Sequence, residues 1–202
     1  MLLGVPVGTD RLYEGDRQDG DDDDDDQPFH AIRFAVGVRA PSAYPVRVID
    51  ASDLLRLEQQ LGRAPYPPMR VVCRCSAGWP VVVEQSPVTP EGAPFPTAFW
   101  LCCPGLVRAV SVLESAGGVR ALEQRIAVDL ECAADFDIAM SRHRAMRPEH
   151  ALGIGGVRAS RAVKCLHAHV AFALGAPPYL IGAAILAEAG GVPVVCCMDS
   201  GG

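Results

Sequence analysis

The stretch Met69-Arg70-Val71-Val72-Cys73-Arg74-Cys75-Ser76-Ala77-Gly78-Trp79-Pro80-Val81-Val82-Val83-Glu84 reads as two β-strands joined at a tight tip. Valine crowds both arms, and Ser76-Ala77-Gly78 between them carries turn chemistry. A third β-prone run, residues 97–102, returns antiparallel and completes a meander. Cys73 and Cys75 then lie at the same end of the sheet as Cys102 and Cys103, because the first and third strands run in the same direction.

Helical periodicity surrounds this ribbon. Upstream, Asp50-Ala51-Ser52-Asp53 supplies an N-cap, Leu54, Leu55, Leu57 and Leu61 follow at helical spacing, and Gly62 ends the helix. Pro65-Tyr66-Pro67-Pro68 is a stiff linker into the first strand. Downstream, Pro104 opens an amphipathic helix with Leu106, Val107, Val110 and Leu113 on one face, closed by Gly117-Gly118. One or two further helices span 119–146, with Leu122, Ile126, Leu130 and Phe136 as core positions and Cys132 as a small buried hydrophobe. Gly153, Gly155 and Gly156 precede a helix expected to contain Lys164, and a last helix covers 179–189. The apolar run 170–187 is broken by Pro177-Pro178, which reads as two short buried helices rather than a membrane span. The fold class is therefore α+β: a small antiparallel three-stranded meander packed against several α-helices.

Residues 1–30 carry ten acids and two arginines, including the unbroken run Asp21 to Asp26, and read as a disordered acidic N-terminal tail. The remaining residues, 31–202, are nearly neutral. Residues 31–49 are poorly defined, with a candidate edge strand at 30–38; residues 50–191 form one globular domain and 192–202 a C-terminal tail. No basic cluster tracks a nucleic-acid backbone, and no secretion signal or membrane span is legible, so the expectation is a cytoplasmic protein without nucleic-acid or membrane partners. Eight cysteines in such a protein argue for thiol chemistry or metal ligation rather than disulfides.

Four cysteines from separate segments are candidate metal ligands: Cys73, Cys75, one of Cys102 or Cys103, and Cys165, holding zinc or an iron–sulfur cluster. Lys164 is the single lysine of the chain, beside Cys165 and close to His167 and His169. If residues 160–174 are regular helix, Cys165 and His169 share a face with Arg161 while His167 points away; if the helix begins after Cys165, the Cys-x-His turn chelates through His167. Two other chemistries fit the same segment. A metal-free thiol enzyme uses Cys165 as nucleophile, His167 as base and Lys164 as the cation that favours the thiolate. An anion clamp uses the glycine turn at 153–156 with Arg158, Arg161 and Lys164 to bind a small anionic molecule. A non-catalytic interaction module, its cysteines merely filling the core, is the reading without chemistry.

Several runs resemble a known family: Leu61-Gly62-Arg63-x-Pro65; Arg74-Cys75-x-x-Gly78-x-Pro80-x-Val82; Gly92-x-Pro94-Phe95-Pro96-Thr97-x-Phe99-Trp100-Leu101-x-Cys103-Pro104; Leu113-Glu114; and Val163-Lys164-Cys165-Leu166-His167-Ala168. They resemble the bacterial domain-of-unknown-function family five hundred and one, from about Asp50 to Gly190. The resemblance implies no activity. It does imply that Cys73, Cys75, Cys103 and Cys165 are the cysteines that matter, favours Cys103 over Cys102 and His167 over His169, and includes Lys164. The chain departs from the resemblance at Tyr179-Leu180-Ile181-Gly182, where the family carries Asn-Pro-x-Gly.

Overall fold

The computed structural model describes residues 47–65, 68–87, 91–148, 152–194 and 198. The acidic tail, the strand expected at 30–38 and most of the chain beyond 194 lie outside these residues. Among the described residues the order is β1 (Arg47–Val48), α1 (Ala51–Leu61), β2 (Pro68–Arg74), β3 (Pro80–Gln85), β4 (Phe99–Leu101), α2 (Pro104–Ser115), α3 (Gly118–Val128), α4 (Leu130–Met146), a 3-10 turn (Ile154–Gly156), α5 (Leu166–Gly175) and α6 (Leu180–Glu188). The sheet order is β1-β2-β3-β4 and every pairing is antiparallel, so the expected meander is β2-β3-β4 with a two-residue strand added at its edge.

The sheet separates two apolar clusters. Val81, Val82, Phe99 and Leu101 join the large core built with α2 to α6, whereas Val71, Val83 and Cys102 pack with Leu57 of α1 on the opposite face. A β-bulge in β2 arranges this division. Val71 faces Val83 but Cys73 faces Val82, so one extra residue, Val72, is accommodated between them. Without the bulge Val71 and Cys73 would share a face; with it, Cys73 turns toward the helical core.

Arg74 reaches the α1 side, where its guanidinium grips the buried Asp53 carboxylate at 2.7 and 2.5 Å and the Gly78 carbonyl at 2.9 Å. Gln60 adds a bond to the Pro80 carbonyl at 2.9 Å. The helix starts where expected, because the Asp50 side chain accepts the Asp53 N–H at 2.8 Å, and it ends on Gly62 in the left-handed region.

On the large face, α4 organises the corner between α5 and α6. Arg142 donates to the carbonyls of Ala176 at 2.6 Å and Pro177 at 3.1 Å, and also to that of Pro178. Asp135 accepts the N–H groups of Leu180 at 3.3 Å and Ile181 at 2.9 Å. That carboxylate caps α6, which frees its N-cap residue Tyr179 to enter the core; there its hydroxyl meets His169 Nδ1 at 2.7 Å. At Gly182 a Cβ would stand 2.5 Å from the His169 carbonyl oxygen, so the close crossing of α5 and α6 requires glycine. No single described helix is long and apolar enough to cross a membrane; α5 and α6 reach that length together but are bent by 113°. Most of their residues through Ala173 and at Ile181 and Ile185 are buried in the core.

Leu57 is fully buried and is the α1 side chain at the centre of the smaller cluster. Leu57→Ala is expected to lower unfolding free energy by about 2–5 kcal/mol, read from urea denaturation.

Candidate metal centre

One stripe of α2 faces the start of α5. Val107, Ser111 and Glu114 recur at helical spacing, and each touches His167 or its neighbour. The α5 helix begins at Leu166 with Cys165 as its extended N-cap residue, which corrects the expectation of a helix containing Lys164. Lys164 lies in an extended segment held at both ends by carboxylates. Glu123 of α3 accepts the Val163 N–H at 3.0 Å, and Glu114 Oε1 accepts the Leu166 N–H. Of the two helix starts the sequence allows, the chain adopts the one that turns Cys165 and His167 to the same place.

His167 is fixed through both ring nitrogens. Its Nδ1–H donates to Glu114 Oε1 at 3.0 Å, and its Nε2–H to the Val107 carbonyl at 3.0 Å with Ser111 Oγ at 3.2 Å. Its pKa is raised to about 9, first by a hydrogen bond with the Cys165 side chain and then, against the opposing cost of burial, by the Val107 carbonyl and the Glu114 carboxylate. At neutral pH it is an imidazolium with both protons committed, a poor general base. A Glu114 oxygen, Cys165 Sγ and a His167 nitrogen all lie within 4.8 Å of one another. A carboxylate, a thiol and an imidazole at that separation form a mixed set of the kind zinc accepts, with a coordination position left over. The Val107 carbonyl engages Nε2 as an outer partner does in a metal-ligating histidine, and Nδ1 is the nitrogen that faces Glu114 Oε1.

Cys73, Cys75 and Cys103 stand outside this group. They do share one end of the sheet, as expected, but β3 lies between them: Val82 faces Cys73 on one side and Leu101 on the other. Two strand spacings, roughly 9.5 Å, therefore separate the two strands that lead into the cysteine pairs. Cys73 is half-buried, its thiol pushed up to about 11 by burial and then by Cys75; Cys103 is buried at the N-cap of α2. Cys102 faces the α1 side and is pushed up to about 12 by burial. Cys132 is buried in the large core.

A pocket of about 190 Å³ adjoins the group, lined by Thr97, Phe99, Trp100, Leu101, Gly155, Lys164, Cys165, His167 and Ala168. Of the three cations read as an anion clamp, Lys164 lines it, whereas Arg158 and Arg161 do not. Arg158 is exposed, and Arg161, in the left-handed region at φ 60°, pairs with Asp137 on α4 at 3.0 Å. Gly155 has φ 73°, the left-handed region that favours glycine, whereas a Cβ there would make only ordinary contact with Lys164 and Ala168 at 3.4 and 3.5 Å.

Two further histidines are structural. His169 is fully buried, stacked on Phe136 at 5.6 Å, and burial depresses its pKa to about 3. His143 accepts the Ala98 N–H at Nε2 (3.2 Å) and donates from Nδ1 to the Leu152 carbonyl (2.9 Å), and burial lowers its pKa too. Glu114 enters the sequence reading only within the Leu113-Glu114 run of the resemblance and is assigned no role there, because 52 residues separate it from Leu166. The available signal is an acidic residue that continues the apolar spacing of Val107 and Val110.

These shifts act in opposite directions on stability. For His143 and His169 the folded pKa lies below the ordinary 6.5, so the unfolded chain takes up protons first and stability falls as pH drops below that value. For His167 the folded value lies above 6.5, so its contribution is full below 6.5 and is lost as pH rises through about 9. Metal-free protein is expected to be most stable near pH 6.5, with an acid limb of at most about 1.4 kcal/mol per pH unit for each linked proton. His167→Gln should flatten the limb between 6.5 and 9 in urea titrations across pH while leaving the acid limb in place.

No curated protein and no solved structure matches the chain. The family described as "Protein of unknown function (DUF501)" matches residues 71–151 and 139–187, which together run from β2 to α6 and take in the pocket and all three residues of the candidate centre. The chain belongs to the DUF501 family.

Proposed function

We propose that this protein binds a zinc ion through Glu114, Cys165 and His167, at the wall of the pocket that carries Lys164. The observation that supports the reading is the approach of three unlike ligand atoms, from α2 and from the start of α5, to within 4.8 Å of one another. The set offers one sulfur, which suits zinc; an iron–sulfur cluster calls for several thiolates. Three protein ligands are the number found where zinc keeps a position for water or substrate. Bound there, the ion would replace the Nδ1 proton as the positive charge beside Glu114.

Protein purified anaerobically and analysed for metals is expected to hold about one zinc per chain. Cys165→Ser and His167→Ala should lose it, and Glu114→Gln should weaken it by at least about tenfold, whereas Cys73→Ser and Cys103→Ser should retain it. Bound zinc should also protect Cys165 from iodoacetamide, with protection lost on chelation. Folded protein that contains neither zinc nor iron, and whose melting temperature added zinc does not move, would overturn the reading. A brown preparation with visible absorption would replace zinc by a cluster.

A further inference from the structure

The free edge of β4 opens onto the pocket. The β3–β4 ladder runs through alternate residues: the Gln85 N–H donates to the Ala98 carbonyl at 2.9 Å, and the Cys102 N–H donates to the Val81 carbonyl at 2.8 Å. The intervening Phe99 and Leu101, opposite Glu84 and Val82, are therefore non-hydrogen-bonded positions whose N–H and C=O groups point away from β3. β4 pairs with no other strand, and no hydrogen bond from the described residues reaches those four groups. Phe99 and Leu101 are only 2 % and 3 % exposed. Backbone groups so enclosed need a partner, and both residues line the pocket.

Lys164 stands on the same pocket. It makes no ion pair or hydrogen bond with the described residues, and no acidic residue lines the pocket. The volume is about 190 Å³. That is room for one residue, not for a whole added strand.

We propose that this pocket takes the carboxyl-terminal unit of a peptide: an amide that pairs with the β4 edge at Phe99 and Leu101, a small apolar side chain, and a free carboxylate held by Lys164. The same chemistry occurs in a protein's C-terminus and in an N-acyl amino acid. Recognition by strand addition supplies the backbone bonds and the cation supplies the polarity. The site shares Cys165 and His167 with the zinc reading, but its ligand is held by the strand edge and Lys164.

The test is isothermal titration of the full chain, zinc-loaded and chelator-stripped, with an alanine-rich pentapeptide ending in valine and with N-acetylvaline. The free acid is expected to bind at least about tenfold more tightly than the same peptide with a C-terminal amide, in both metal states. Methylating the nitrogen of its last peptide bond should weaken it about as much. Lys164→Met should remove the acid-over-amide preference without changing zinc content. Equal binding of acid and amide, a preference that survives Lys164→Met, binding that appears only after zinc loading, or no binding at all would each overturn the proposal. Zinc content, measured separately, reports on the metal reading alone. A pentapeptide that binds about tenfold more tightly than N-acetylvaline identifies a protein C-terminus as the source, and equal affinities identify the small molecule.

Discussion

The Glu114 carboxylate is the junction on which the candidate site depends. One of its oxygens accepts both the first N–H of α5 and the Nδ1–H of His167, joining the last turn of α2 to the first turn of α5. An anion at a helix N-terminus is favoured by the helix dipole and by the unpaired amides there. That contact sets where α5 begins. The helix start in turn decides that Cys165 is extended and that His167 lies on its side of the segment rather than opposite it. A carboxylate on one helix thereby selects between two ligand geometries on another.

The sheet contributes through its irregularity. The bulge at Val72 places Cys73 toward the helices while Val71 before it and Arg74 after it serve the α1 side, so one short strand supplies both cores. β4 sits at the opposite edge and presents alternate backbone groups to the pocket. α5 residues His167 and Ala168 and the neighbouring Lys164 line the same pocket as β4, so the edge faces a confined space rather than an open flank.

The fold was legible where local signals agree with tertiary ones. Asp50 and Gly62 bounding α1, Pro104 opening α2 and valine-rich arms around Ser76-Ala77-Gly78 are each decided by their own neighbours. The site was legible only in part, because ligand geometry depends on side chains brought from distant segments. The shared sheet end of Cys73 and Cys103 follows from strand direction, but the strand between them is equally a consequence of the meander and keeps the pairs apart. The helix start was undecided in the segment itself; its determinant, Glu114, lies on another helix. Nothing in Lys164-Cys165-Leu166-His167 alone distinguishes the two starts.

The elbow between α5 and α6 has a consequence for biosynthesis. Both helices are largely apolar and, laid end to end, would be long enough to enter a bilayer. The groups that bend them, Asp135 and Arg142, sit on α4, which precedes them in the chain and so leaves the ribosome first. The greasy pair is thus synthesised after the guanidinium that takes its carbonyls and the carboxylate that takes its amides.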